Sequence, residues 1–163
     1  MLAYLGLGSN EGDSLAALRA VVPALERRGV EVTGASSVWR TAPQGEVLDQ
    51  PDFLNACLAA EATLDPDGLL EVCKEVERDG GRVQGGPKHG PRPIDVDLLL
   101  FGDLESSGGV ALPHPEIATR RFVLEPLLEL DPDLRLPDGT RLAPVLGSLL
   151  DQEVARLGPL IGP

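Results

Sequence analysis

The sequence predicts an α+β fold, because short apolar strands and two amphipathic helices alternate along its 163 residues. A hydrophobic fraction of 42% is sufficient for one sizeable core. Glycine and proline are concentrated between the periodic segments, where they mark loops. We therefore expect residues 1–163 to form a single domain.

Three strands and one helix are predicted in the first part of the chain. The strands are Leu2 to Leu7, Val30 to Thr41 and Phe53 to Thr63. The first strand is apolar throughout and ends at Gly8-Ser9-Asn10. The helix that follows is expected to begin near Asp13, a good capping residue, and to be kinked or shortened by Pro23.

The second part of the chain predicts another helix and a strong strand. Asp65-Pro66-Asp67 is a helix-start signal, and a long loop over Gly80 to Pro93 follows the helix. The residues expected to face inward from this helix are Leu69, Leu70, Cys73 and Val76. Ile94 to Phe101 is the strongest predicted strand. Further helical segments are expected at 117–130, interrupted by Pro126, and at 145–150.

The order of these elements is βαββαβ, followed by additional C-terminal elements. Two βαβ-like halves with their helices on one face of the sheet are typical of a ferredoxin-like α+β sandwich. The sequence contains no G-x-x-x-x-G-K-[ST] loop, and Gly6-Leu7-Gly8 lacks the third glycine of a dinucleotide-binding loop. A nucleotide would therefore have to be held by other groups.

The charge of the chain restricts its partners. A formal net charge of −12 argues against binding to nucleic acid or to an anionic membrane. The segment from Arg78 to Arg92 has a net charge of +3, because only Asp79 opposes its four cations. This basic segment suits a compact polyanion such as a nucleotide triphosphate, and it is equally compatible with a solvated loop.

Cysteine usage and hydropathy indicate where the protein works. Cys57 and Cys73 lie in apolar segments and make neither a disulfide framework nor a zinc site, so we expect buried free thiols. We expect neither a signal peptide nor a membrane span, because the apolar runs are short and the first strand has no basic leader. These features predict a soluble cytoplasmic protein, which we expect to be a monomer.

Asp95 and Asp97 are the first candidates for chemistry. Residues two apart on a strand point to the same face, about 6.6 Å apart along the chain. Ile94, Val96, Leu98 and Leu100 are then expected to point to the opposite face, into the core. A hard divalent cation such as Mg²⁺ would relieve the repulsion between two neighbouring carboxylates. The alternative is a pair of surface carboxylates on a half-exposed strand.

The residues before this strand can hold phosphate. Gly90-Pro91-Arg92-Pro93 is stiffened by its prolines, so Arg92 can be held beside the aspartates. Arg82 and Lys88 lie in the glycine-rich part of the same loop, which can close over a ligand. A metal, arginines and a closing loop are what phosphoryl transfer requires.

Phe53 and Asn55 share one face of their predicted strand, while Leu54, Ala56 and Leu58 face the other way. An aromatic ring beside an amide suits a flat heteroaromatic ligand, although an ordinary sheet aromatic with an exposed Asn is the simpler interpretation. Glu77 is interpreted from its position as a solvated helix residue. The remaining polar candidates are His114 between two prolines and Arg120-Arg121-Phe122.

Several ordered blocks resemble the 6-hydroxymethyl-7,8-dihydropterin pyrophosphokinase family, from Tyr4 to Gly139. The matching blocks are Gly6 to Asn10, Trp39 to Pro43, Asp49 to Asn55, Gly90 to Leu98, and Pro113 to Pro115 with Arg120 and Phe122. The block G-P-R-x-[IL]-D-[IVL]-D is highly specific. The resemblance implies a ferredoxin-like sandwich that transfers pyrophosphate from ATP to the pterin alcohol in folate biosynthesis and releases AMP.

The resemblance also implies roles for individual residues. Asp95 and Asp97 would bind two magnesium ions, and Arg82 and Arg92 would stabilise the transferring phosphates. The ATP site would include Glu77, Lys88, Arg92, Leu98, His114 and Arg120. The pterin site would include Thr41, Pro43, Gly45, Phe53, Asn55 and Phe122. Without the resemblance, another D-x-D metal-dependent phosphotransferase or phosphatase and a non-catalytic nucleotide-binding module remain open.

Overall fold

The structure is a computed structural model that describes residues 1–43, 49–80, 93–107 and 109–161. The strands are β1 Leu2–Ser9, β2 Glu31–Ala35, β3 Ser37–Thr41, β4 Phe53–Glu61, β5 Asp95–Phe101 and β6 Val154–Pro159. The helices are α1 Ser14–Glu26, α2 Pro66–Asp79 and α3 Arg121–Leu130, with a 3-10 helix over Ala143–Leu149.

The strands form one antiparallel sheet in the order β5-β1-β4-β3-β6, and β2 also pairs with β4. If β2 and β3 are counted as one strand, the first five strands lie in the order β5-β1-β4-β2/β3. This is the strand order expected for a ferredoxin-like βαββαβ fold. The α+β fold class predicted from the sequence is therefore confirmed. In the described part of the chain, β5 pairs with β1 alone and lies at one edge.

The predicted strand from Val30 to Thr41 is two strands in the structure. The break is at Ser36, whose hydroxyl accepts the backbone N–H of Cys57 at 2.8 Å and donates to the Ser37 carbonyl at 2.8 Å. A side-chain oxygen thus takes the place of a backbone carbonyl in the ladder with β4. The alternating pattern of residues conceals this interruption, because the chain continues in the same direction.

Helices cover both faces of the sheet. α1 and α2 pack on one face, around a core that includes Leu5, Leu58 and Val96. α3 and the residues that follow it, up to the end of the 3-10 helix, pack on the other face, around Leu99, Leu124 and other buried side chains. The predicted arrangement of two helices on one face is correct for α1 and α2, and α3 adds a second layer.

The expectation that Leu100 shares a face with Val96 and Leu98 is wrong. The pairing of β5 with β1 shifts register between Leu5 and Tyr4, which lie opposite Leu98 and Leu100. The extra residue, Leu99, forms a bulge that reverses the alternation of side chains. Leu98 is therefore in the core beneath α1 and α2, whereas Leu100 packs on the α3 side.

The ends of several elements also differ from the prediction. The helix expected over 117–130 begins only at Arg121, because Arg120 has an extended backbone. The last short helix is a 3-10 helix over Ala143–Leu149. The strand β6 was not predicted, because its Gly158 and Pro159 resemble a turn; an edge strand tolerates both residues.

The predicted helix caps and free thiols are confirmed. Asp13 and Asp65 cap α1 and α2, and Cys57 and Cys73 are buried free thiols. Within the four described ranges, each helix is too short or too polar to traverse a lipid bilayer.

The cap of α2 gives a test of the fold. The Asp65 carboxylate accepts the Gly68 N–H at 2.8 Å, and its loss in Asp65→Ala should lower the free energy of unfolding by about 1 kcal/mol. Urea denaturation measures this change. Asp65→Asn is the matched control and should stay near wild type, because an amide oxygen caps equally well. An equal loss in both variants would contradict the capping role.

Candidate active site

The edge strand β5 places Asp95 and Asp97 on the face of the sheet that α3 partly covers. Both aspartates are half-buried and line one pocket, while Val96 between them is in the opposite core. The predicted alternation is therefore confirmed at this part of the strand. Asp95 and Asp97 are opposite Gly8 and Gly6 of β1.

The two glycines keep the floor of the pocket open. A Cβ atom at Gly6 would lie 3.2 Å from Leu99, and one at Gly8 would lie 3.4 Å from Asn55 Oδ1. Gly8 is paired on its other side with Asn55 of β4. The aspartates and the amide therefore lie on one face, with no side chain from β1 between them.

Glu77 of α2 completes an acidic cluster with Asp95 and Asp97. One carboxylate oxygen from each of the three residues lies within 4.8 Å of the others. The Glu77 side chain is buried, and its carboxylate accepts the Val96 N–H at 2.8 Å. This N–H points away from β1, to the side where α2 meets the edge of the sheet. The interpretation of Glu77 as a solvated helix residue is therefore wrong.

Burial, together with nearby carboxylates that include Asp97, raises the pKa of the buried thiol on each face of the sheet. Burial raises the pKa of Cys73 to about 12, and the negative charges of Glu77 and Asp97 add to the effect. Burial also raises the pKa of Cys57, with contributions from Glu129 and Asp97. Both thiols consequently stay protonated at neutral pH, and neither has the character of a nucleophile.

The donor chemistry of the cluster suits a hard divalent cation. Three carboxylates at such close range repel one another, and partial burial increases the cost of their charges. Oxygen ligands that leave room for water and phosphate oxygens are typical of Mg²⁺ sites. Among the residues that the structure describes, Glu77, Asp95 and Asp97 form the group with this composition.

An aromatic pocket adjoins the two aspartates. Its predicted members are Thr41, Phe53, Asn55, Arg120 and Phe122, together with Asp95 and Asp97. Phe53 and Asn55 come from β4, whereas Arg120 and Phe122 come from the start of α3. The structure thus brings the candidate aromatic and amide groups together from two separate elements. Glu116 also lines the pocket and was missed in the sequence analysis.

Hydrogen bonds fix two of these side chains. Asn55 is buried, and its Nδ2 donates to the Trp39 carbonyl at 3.5 Å. The Thr41 hydroxyl donates to the Glu153 carbonyl at 3.2 Å. The backbone of β3 therefore orients the Asn55 amide, and the backbone just before β6 orients the Thr41 hydroxyl.

Ser9 and Asn10 support the site, although their place in the sequence predicted only the end of a strand. Asn10 is buried, and its Nδ2 donates to Gln50 Oε1 at 2.8 Å and to the Pro51 carbonyl at 3.0 Å. The Ser9 hydroxyl donates to the Pro93 carbonyl, two residues before Asp95. The signal that could have identified them is the pair of polar residues that directly follows Gly8 at the end of an apolar strand.

The remaining residues that were predicted for the site either do not line the pocket or lie outside the described residues. His114 Nδ1 accepts the Glu116 N–H at 3.1 Å, which leaves Nε2 as the donor of the neutral ring. The Leu98 side chain is in the core, so a ligand could meet only its backbone. Pro43 is half-buried and is outside the set of residues that line the pocket. Gly45, Arg82, Lys88 and Arg92 lie outside the described residues.

The fold is similar to that of solved HPPK-DHPS structures. The chain superposes on an HPPK-DHPS structure in complex with substrates with a TM-score of 0.69 and 12% identity. It superposes equally well, with 13% identity, on the A437G HPPK-DHPS of Plasmodium falciparum with STZ-DHP. The alignments cover 90% of this chain but only 43% and 45% of those chains. They show the shared fold, and the chain spans less than half the length of either protein.

Sequence relatives are more specific. The chain is 46% identical to the 2-amino-4-hydroxy-6-hydroxymethyldihydropteridine pyrophosphokinase of Methylorubrum extorquens, over 81% of this chain and 84% of that protein. The enzyme of the same name from Pseudomonas aeruginosa is 36% identical over 94% and 95% of the two chains. Residues 4–132 match the family model described as 7,8-dihydro-6-hydroxymethylpterin-pyrophosphokinase (HPPK). The chain therefore belongs to the HPPK family.

Proposed function

We infer that this chain transfers pyrophosphate from ATP to 6-hydroxymethyl-7,8-dihydropterin, which yields AMP and the pterin diphosphate in folate synthesis. The observation that carries this function is the position of the acidic cluster directly beside an aromatic pocket. The cluster supplies ligands for the cations that accompany a polyphosphate, and the pocket suits a flat ring. The polyphosphate with its cations and the flat ring would thus bind side by side on one face of the sheet.

The metal site is assigned to Asp95 and Asp97, with Glu77 at its rear. We expect two Mg²⁺ ions, which when bound neutralise phosphate charge and lower the pKa of the attacking hydroxyl. Asp95 and Asp97 present their carboxylates towards the pocket. Glu77 is held by the Val96 N–H and adds a third negative charge. In this assignment the residues act mainly by position and charge.

The pterin is assigned to the pocket between β4 and α3. Phe53 and Phe122 offer apolar ring surfaces, and Asn55 offers both a donor and an acceptor for the edge of a pterin. Thr41 lies in the same lining, and Pro43 and Gly45 continue the chain from it. This placement directs the hydroxymethyl group towards the aspartates, where the transferred phosphorus must arrive.

ATP is assigned to the outer side of the aspartates. Arg120 lines the pocket and can pair with phosphate oxygens, and His114 can donate from Nε2. Leu98 would contribute its backbone at the sheet edge. Arg82, Lys88 and Arg92 are expected to complete the charge balance around the phosphates. The cytoplasmic location and the monomeric state remain predictions.

The reaction itself is the first test. Incubation with ATP, Mg²⁺ and the reduced pterin alcohol should release AMP in proportion to the pterin added, as measured by chromatography of the nucleotides. An unrelated phosphatase would release phosphate without pterin, and a binding module would leave ATP intact. AMP that does not depend on the pterin would contradict the proposed function.

Asp97→Asn should lower kcat by a factor of about 100 or more, because the amide removes a charge from the metal site while keeping the shape of the side chain. Steady-state AMP formation measures the loss, and circular dichroism checks the fold. Asp103→Asn is the matched control, since Asp103 is exposed in the turn that follows β5. Near-normal turnover in Asp97→Asn would show that the metal site is misassigned.

Glu77 has two separable roles, one in charge and one in hydrogen bonding. Glu77→Gln keeps an acceptor for the Val96 N–H, and the weaker bond to a neutral oxygen is offset by the loss of repulsion from Asp95 and Asp97. It should therefore leave the unfolding free energy nearly unchanged while weakening Mg²⁺ binding about tenfold. Glu77→Leu leaves the N–H unsatisfied and should cost about 1–3 kcal/mol of stability. Calorimetric Mg²⁺ titration and urea denaturation measure the two effects. Equal stability loss in both variants would contradict this division.

A further inference from the structure

The first turn of α3 is capped from a distant part of the chain. Arg120 occupies the N-cap position, yet its side chain makes no capping hydrogen bond. The Arg121 N–H, which has no acceptor within the helix, donates instead to Gln152 Oε1 at 2.9 Å. Gln152 lies in the connection between the 3-10 helix and β6, beyond the family match over residues 4–132.

The same amide makes a second hydrogen bond on the other side of Arg120. Gln152 Nε2 donates to the Thr119 carbonyl at 2.9 Å. The two bonds thus bracket the φ and ψ angles of Arg120, which are −122° and 115°. One side-chain amide pairs with the backbone around Arg120 as a neighbouring strand would, and it holds that residue extended immediately before the helix begins.

Gln152 is itself held firmly. The Arg121 guanidinium donates from Nη1 to the Gln152 carbonyl at 2.8 Å, and from Nε to Glu125 at 3.0 Å. The adjacent Glu153 carbonyl accepts the Thr41 hydroxyl at 3.2 Å. The connection between the 3-10 helix and β6 therefore contacts both walls of the pocket, at β3 and at the start of α3.

We propose that Gln152 is a positioning residue that sets the directions of Arg120 and Phe122 in the pocket. Arg120 lies between the two bonds of the amide, and Phe122 follows one residue after the capped N–H. Both side chains line the pocket. The kinetic consequences of this role rest on the proposed function, whereas the hydrogen bonds that define the role do not.

Gln152→Met tests the role, because it keeps the length of the side chain and removes both hydrogen bonds. We expect KM for ATP and for the pterin alcohol to rise about tenfold, with a smaller change in kcat. Gln152→Glu keeps the acceptor for Arg121 and loses the donor to Thr119, so it should be intermediate. Arg156→Met is the matched control; it removes a C-terminal tether to Ser37 at 2.8 Å, outside the pocket lining, and should leave KM unchanged.

A double-mutant cycle separates positioning from general destabilisation. In an Arg120→Ala background, Gln152→Met should raise KM for ATP by less than twofold, because the residue it positions is already absent. An additive, tenfold effect in that background, or an unchanged KM in Gln152→Met alone, would overturn the proposal.

Two further measurements do not require turnover. Gln152→Met should speed hydrogen exchange at the Arg121 amide about tenfold in nuclear magnetic resonance experiments, because the N–H loses its acceptor. Calorimetric binding of Mg·ATP repeats the double-mutant cycle without the pterin. If the wild-type chain forms no pterin-dependent AMP, the proposed function fails, while these two measurements still decide the role of Gln152. Unchanged exchange at Arg121 would refute it.

Discussion

The hydrogen bond from the Val96 N–H to the Glu77 carboxylate is the interaction on which the site depends. It occurs because β5 is an edge strand in the described sheet and turns alternate backbone groups away from β1. α2 meets that edge and satisfies the N–H with a charged oxygen, which makes a stronger bond than a neutral acceptor would. The bond thereby fixes β5 against α2 and brings a third carboxylate to Asp95 and Asp97.

The rest of the site follows from the neighbours of β5 across the sheet. Gly6 and Gly8 of β1 lie between the aspartates and the residues of β4. Because they have no side chains, the face between Asp95 and Asn55 stays open, and α3 covers it only in part. Polar chemistry is thus confined to one face, while Val96 and Leu98 anchor the same strand in the core on the other. A strand with one buried face can hold charges on the opposite face without losing its register.

Local periodicity explains what the sequence could predict. The alternation of residues correctly separated Asp95 and Asp97 from Val96, and Phe53 and Asn55 from their apolar neighbours, because a period of two is a property of the strand alone. The capping residues Asp13 and Asp65 were equally accessible, since a cap and its helix are adjacent in sequence.

The features that could not be predicted depend on pairing between distant segments. The bulge at Leu99, which redirects Leu100, arises from the register with β1. Glu77 resembles a solvated residue until the edge of β5 is placed beside α2. Gln152 is 31 residues from the N–H that it caps, and no local pattern connects the two. In each case the sequence specifies a side chain whose partner is selected only by the tertiary fold.

The supporting polar residues share one physical feature: each forms a hydrogen bond to the backbone beside a residue of the candidate site. Ser9 binds the Pro93 carbonyl before Asp95, and Asn10 binds the Pro51 carbonyl before Phe53. Gln152 binds the carbonyl and the N–H on either side of Arg120. Backbone groups are suitable anchors because they need hydrogen-bond partners wherever they are buried. Fixing them limits the positions of Asp95, Phe53 and Arg120 through the backbone and not through their side chains. A pocket assembled from a strand, a loop and a helix start can in this way be pre-organised by hydrogen bonds to the backbone beside its lining residues.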